Sequence, residues 1–254
     1  MLIDTHAHLN LKIYEKDLDQ VLSKALQNDV QRMIVIGMDE ASNQKAFAMA
    51  HRYPQMMIAF GIHPCSCLTL EKPENILKYL HHPQTVAIGE IGLDLHHRQD
   101  NLALQKKFFQ TQVEIAIQHN LPIIIHARKS FEEIYRLLLP YKNKVRGVFH
   151  CLVFSVQEAQ KALELGFYIG IGGVVTFENA KTAHEIAKII PLNRILLETD
   201  APYLTPFPFQ KERNEPAYIK VIADRIAFLR NISLQEVAET TSNNVAQLFL
   251  NKLT

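Results

Sequence analysis

Residues 1–8 read MLIDTHAH, an apolar run that ends in two histidines spaced two apart. Side chains on a strand alternate faces, so Asp4, His6 and His8 leave the same side. A doubly wound open sheet usually follows its first strand with a glycine-rich phosphate loop. Here the strand ends in imidazoles, which at H-x-H spacing can hold one metal ion from a single strand.

Working outward, the same arrangement recurs. Short runs rich in Ile, Val and Phe occupy 2–8, 32–37, 56–62, 85–90, 122–126, 146–150, 167–171 and 194–199. Stretches with helical spacing lie between them, such as 15–28, 40–52, 99–119, 156–165, 179–189 and 215–229, and a further helix at 233–250 ends the pattern. Eight alternating units in 254 residues predict a (β/α)8 TIM barrel, with 1–254 as a single domain.

Barrel active sites sit at the C-terminal ends of the strands. Six metal-ligand side chains fall there: His6, His8, Glu90 in VAIGE, His126 in PIIIH, His150 in GVFH and Asp200 in RILLETD. By strand parity Glu198 shares a face with Asp200. His63, in GIHP, falls at the same end. The other histidines (51, 81, 82, 96, 97, 119 and 184) scatter over helices and connections and read as surface or capping residues.

The bulk properties narrow the function classes. A net charge of +1 excludes a protein that coats duplex nucleic acid by charge alone, while allowing a local grip on a few phosphates. The three cysteines, Cys65, Cys67 and Cys151, form no CxxC pair, so a reducing compartment is expected and a disulfide framework is not. No apolar run approaches the roughly 20 residues that span a bilayer, and no signal-peptide pattern opens the chain. A cytoplasmic protein without membrane contact or a stable protein partner is therefore expected.

Six ligands exceed what one tetrahedral ion needs, so the pattern points to a hydrolase with one or two divalent metals. Glu90 could bridge two ions with its two oxygens. Two ions ~4 Å apart activate a water and stabilise charge building on the scissile group. Asp200, a carboxylate beside such a water, is the natural general base. Four imidazoles favour zinc or manganese over calcium, and the carboxylates allow magnesium.

The motifs D-T-H-A-H, G-I-H-P, G-E-I-G-L-D, I-I-H-A-R, G-V-F-H-C, L-L-E-T-D-A-P-Y-L and R-N-E-P follow one another across nearly the whole chain. In order and spacing they resemble the TatD family of metal-dependent deoxyribonucleases, which belongs to the amidohydrolase-like barrels. The resemblance implies one metal among His6, His8, Glu90 and Asp200, and another among Glu90, His126 and His150. It implies a DNA substrate, taken as ends or single strands by an exonuclease. It also places His63, Arg128 and Arg213 at positions that face the substrate phosphate.

A physical reading stands beside each of these three. Arg128 follows His126 by two residues and points to the same side if the strand persists, where a guanidinium could fork onto phosphate oxygens. Its alternative is a salt bridge to a loop carboxylate. His63 precedes Pro64, which enforces extended backbone and places the ring at the barrel mouth. Its alternative is a loop histidine bonded to backbone. Arg213 lies in KERNEP, before a Pro216 that suits the first position of a helix. The stretch reads equally as a capped helix start and as an anion site.

One departure touches the substrate. After His150-Cys151 the family usually runs Phe, then Ser or Thr, then Gly, whereas this chain has Leu152, Val153 and Phe154. Phe154 would narrow an approach that glycine leaves open, or offer a face on which a base stacks. Two other functions fit the same residues. One is an ester or amide hydrolase, such as an aminoacyl-tRNA deacylase, since activated water attacks carbonyl and phosphoryl centres alike. The other is a non-catalytic scaffold that keeps metal for stability.

Overall fold

The computed structural model describes residues 1–68, 72–97, 99–151 and 155–250. The apolar runs form eight parallel strands: β1 (Leu2–Ala7), β2 (Val30–Ile36), β3 (Met56–Phe60), β4 (Thr85–Asp94), β5 (Ile123–Arg128), β6 (Gly147–Phe149), β7 (Tyr168–Ile171) and β8 (Ile195–Leu197). Their spatial order is their chain order. The sheet curls until β1 meets the segment after β8, through a parallel bridge between Ala7 and Ala201. Two hydrogen bonds reinforce that seam, from Asp200 N to His6 O (2.9 Å) and from His8 N to Ala201 O (2.7 Å). The fold is a (β/α)8 TIM barrel, as the alternation predicts.

Helices alternate with the strands: α1 (Leu18–Gln27), α2 (Glu40–Arg52), α3 (Leu102–Gln118), α4 (Phe131–Leu138), α5 (Val156–Glu164), α6 (Lys181–Ile189), α7 (Ile219–Arg230) and α8 (Leu234–Val245). Asp39 and Ser155 close capping boxes at α2 and α5, satisfying donors that a helix start leaves unpaired. The helical spacing quoted above passed over α4. It is eight residues long and buries only Phe131, Ile134 and Leu138, too few to stand out as periodicity against the apolar strands on either side.

Two apolar layers hold the barrel. The larger packs the helices onto the outside of the sheet. The smaller includes Ile124, Val148 and Leu196 and is joined by Val245, Leu248 and Phe249 from the end of the chain. Ile124 lies two residues before His126 on β5 and shares its inward face, while Val148 and Leu196 lie near the ends of β6 and β8, two residues before His150 and Glu198. The barrel interior is therefore apolar in its lower layers and turns polar at the C-terminal ends.

Two strand boundaries differ from expectation and both bear on the site. β4 runs to Asp94, four residues beyond the expected end, and every residue in it is buried. β8 stops at Leu197, and Asp200 adopts a left-handed backbone with φ 58°. The parity argument for Glu198 and Asp200 therefore fails. Asp200 is aimed by the turn that returns the chain to β1, not by the pleat of a strand.

Candidate metal centre

Glu90 is the hub of the site. Its carboxylate is buried (3% exposed) on β4 at the centre of the barrel mouth. Oε2 faces His6 Nε2 at 3.4 Å and His8 Nε2 at 3.8 Å, both from β1. Oε1 faces His150 Nε2 at 2.7 Å, His126 Nδ1 at 2.8 Å and His63 Nε2 at 3.8 Å. Asp200 Oδ1 completes the first side, 3.3 Å from His8 Nε2 and 3.7 Å from His6 Nε2. The two oxygens of one carboxylate thus divide the ligands into two groups.

A glycine on β4 makes this convergence possible. Gly92 sits at φ 151°, and a Cβ there would fall 1.9 Å from the carbonyl oxygen of His126. Only glycine lets β4 approach β5 closely enough for Glu90 and Asp94, two residues to either side, to reach the same imidazole. His126 bonds Glu90 through Nδ1 and Asp94 Oδ2 through Nε2, the latter at 3.1 Å. Asp94 is itself held by the backbone N–H groups of His96 and His97 and by His97 Nδ1 at 2.8 Å. A carboxylate behind a ligating imidazole fixes the ring and its tautomer.

The titration behaviour follows from burial and from Glu90. Burial holds His6 down to about 4, so its ring is neutral and keeps a lone pair for a cation. Burial also works against a proton on His150, but Glu90 beside it prevails and raises that ring to about 9. These two rings stack with centroids 4.0 Å apart. Burial opposes the charges on Glu90 and Asp200 too, yet the surrounding imidazoles hold both carboxyls below their usual range.

The donor set fits divalent cations. Nε2 of His6 and Nε2 of His8 point at one another across 3.3 Å, and the ion-pair partners of Glu90 and Asp200 among the described residues are histidines alone. Ligand atoms of His6, Glu90 and His150, of His6, His8 and Asp200, and of His63, Glu90 and His126 each gather within 4.8 Å. Two imidazole nitrogens that face one another beside two buried carboxylates are a donor set that a cation would draw together.

The residues singled out from sequence divide in where they stand. His6, His8, Glu90, His126, His150 and Asp200 come together in the mouth. His63 joins them, and its Nδ1 accepts from Cys65 N at 3.1 Å. That bond leaves Nε2 as the protonated nitrogen, with its N–H toward the Glu90 side. Arg128 ends β5 with an exposed guanidinium that makes no ion pair among the described residues. Arg213 stands apart. Its two terminal nitrogens donate to the Ile13 carbonyl, to both oxygens of Asp17 and to Glu215, and its plane lies 4.4 Å over the Tyr14 ring. With those N–H groups committed, a phosphate contact at Arg213 would require an ion pair to be given up. Leu152–Phe154 lie outside the described residues.

Three residues of the site were not chosen from sequence. Asp94 and His97 support His126 as described. Glu198, 1% exposed, accepts from Cys151 N and lies 3.8 Å from His150 Nδ1. A Cβ on Gly170 would come 2.3 Å from its Oε2. Asp94 continues the i, i+2, i+4 series of Glu90 and Gly92, a signal that was present once the strand was extended. His97 and Glu198 had no such signal.

A parallel barrel whose strand ends converge four imidazoles and two carboxylates has the frame of a metal-dependent hydrolase. Residues 3–250 match the model of TatD related DNase, and the chain belongs to that family. The metal-dependent hydrolase YabD of Bacillus subtilis, described as uncharacterized, is 39% identical over 98% of this chain and 99% of its own. The 3'-5' ssDNA/RNA exonuclease TatD of Salmonella typhimurium is 35% identical over 98% of each. The crystal structure of the TatD homolog YJJV of Escherichia coli superposes with a TM-score of 0.89 at 29% identity, covering 98% of both chains. No helix among the described residues is long and apolar enough to cross a membrane.

Proposed function

We propose that the protein is a metal-dependent phosphodiesterase that degrades DNA, most readily as an exonuclease on ends or single strands, using a binuclear centre and Asp200 as general base. The observation that carries this reading is the division of ligands about Glu90, with His6, His8 and Asp200 toward Oε2 and His126 and His150 toward Oε1. The exonuclease name of the Salmonella relative supports a nucleic-acid substrate. None of this chain's three cysteines is in a disulfide, which suits the cytoplasm expected from the sequence.

Divalent ions such as Mg²⁺, Mn²⁺ or Zn²⁺ at this centre would supply Lewis acidity toward a phosphoryl oxygen and lower the pKa of a nearby water. The side chains do the rest. Asp200, held ionised by its imidazole neighbours, accepts the proton of the attacking water. His63, kept neutral by burial, presents Nε2–H to a non-bridging phosphate oxygen. Arg128, exposed at the end of β5, forks onto the same phosphate or the next one. Arg213 instead fastens the loop before α7 to the segment before α1.

The test is metal-dependent hydrolysis of 3'- and 5'-labelled single- and double-stranded DNA and RNA by chelated, then reconstituted protein, with a carboxylic ester and an aminoacyl-tRNA assayed in parallel. Progressive shortening that disappears in Asp200→Asn is the expected result. Turnover of esters without any strand cleavage would move the assignment to ester or amide chemistry.

A further inference from the structure

The turn that delivers Asp200 carries a second feature that the metal chemistry does not use. Tyr203, Leu204 and Phe207 are 50%, 38% and 49% exposed, three large apolar side chains within five residues. Isolated exposed apolar residues are ordinary, but a run of them beside a polar site marks a surface that meets a ligand. The geometry points to Tyr203 as a nucleobase platform: its ring stacks on the base of the nucleotide whose phosphate is held by His63 and Arg128, and Phe207 continues the apolar strip. This rests on the phosphodiesterase reading above and adds to it how the strand is held.

Position comes first. The Tyr203 ring lies with its centroid 6.0 Å from the His8 ring, at an interplanar angle of 68°. It therefore borders the ligand cluster, and a sugar holds its base several ångströms from its phosphate, which is the same scale. Rigidity comes second. Tyr203 N donates to Asp200 O at 2.8 Å, and the Tyr203 carbonyl accepts from Asn214 Nδ2, which also bonds Thr199 O. Further along, Phe207 N donates to Thr176 Oγ1 at 2.8 Å. An aromatic ring on a loop already fixed at both ends loses little entropy when a base covers it.

Charge supplies the third argument. With a net charge of +1 the protein has little long-range attraction for a polyanion. A single-strand binder of that kind must draw more of its affinity from stacking, which tolerates any base because every base has a π-face. The Tyr203 hydroxyl has no hydrogen-bond partner among the described residues, so the ring is not committed to the protein's own structure.

The deciding experiment measures kcat and KM of metal-loaded wild type, Tyr203→Leu and Tyr203→Phe. The substrates are a single-stranded oligonucleotide and the same strand with its end nucleosides made abasic. The expected result for Tyr203→Leu is a rise in KM of about tenfold on the intact strand, with kcat nearly constant and KM on the abasic strand unmoved. Tyr203→Phe keeps wild-type behaviour. A strand carrying 2-aminopurine at its end, bound to metal-loaded Asp200→Asn protein, should show quenching that vanishes when Tyr203→Leu is added. Equal effects of Tyr203→Leu on both strands, or none on either, would overturn the platform while leaving strand cleavage intact. Absence of any strand cleavage by the wild type would remove the phosphodiesterase reading itself, a distinct outcome.

Discussion

The two ends of the barrel interior are built on opposite principles. In the lower layers Ile124, Val148 and Leu196 pack with Val245, Leu248 and Phe249, and all are buried apolar groups that satisfy one another. Two residues further along the chain in each case stand His126, His150 and Glu198. There Nδ1 of His6, His8 and His150 and Oε2 of Glu198 are buried without hydrogen-bond partners among the described residues. Such groups each cost roughly 1–3 kcal/mol when left unsatisfied. The lower layers supply stability, and the upper layer draws on it to hold like-minded polar groups in contact.

That contrast can be attacked from either end. The largest effect is expected at the mouth, from Asp200→Asn. Removal of a general base lowers kcat by about 10²–10⁴-fold, and the melting temperature should stay within a few degrees. A variant that melted far lower would show that Asp200 is needed for the seam between β1 and β8 and not only for the reaction.

Next in size is the lower layer. Ile124→Ala leaves a cavity under His126 and should destabilise the protein by about 2–5 kcal/mol in denaturant titration, while turnover per folded molecule changes little. A large loss of turnover without loss of stability would blur the division between the two ends.

Metal removal should register on both scales. Chelation is expected to abolish activity and lower the melting temperature, since an ion held at 100 times its Kd adds about 2.7 kcal/mol to the folded state. Addition of Mn²⁺ or Zn²⁺ should restore both. Recovery of the melting temperature at one equivalent per chain, with activity only at two, would sharpen the picture of two unequal sites about Glu90.

The smallest effects separate the two arginines. Arg128→Ala should raise KM for strands about tenfold, the loss of one charge-assisted phosphate contact, without altering stability. Arg213→Ala should do the reverse, costing about 1 kcal/mol of stability as a part-exposed ion pair does, with KM nearly constant. Matching phenotypes would mean that Arg213 leaves Asp17 when substrate arrives.

Much of this was legible before any coordinates. Strand periodicity with candidate ligands toward the strand ends is a local signal, and His6, His8, His126 and His150 lie within two residues of a strand terminus, while Glu90 sits four residues before the end of β4. Asp200 was also identified, although the parity reasoning offered for it does not apply, because its aim comes from a left-handed turn. Glu198 went unassigned since its role depends on a cavity made by Gly170 on the neighbouring strand, a fact no spacing along its own strand can express. His97 is exposed, as its surface reading expects, but its bond to Asp94 was not legible because Asp94 belongs to the part of β4 that the apolar pattern did not reveal.

The sequence by itself determined the barrel, its family and which candidate ligands to look for, because each follows from periodicity and residue type within short windows. Only the tertiary structure decided which oxygen of Glu90 meets which histidines, that Asp94 and Glu198 stand behind them, and that Arg213 serves the loops while Arg128 has no ion-pair partner among the described residues. Those are contacts between segments far apart in the chain. Their geometry is set by strand register and by the close approaches that Gly92 and Gly170 allow.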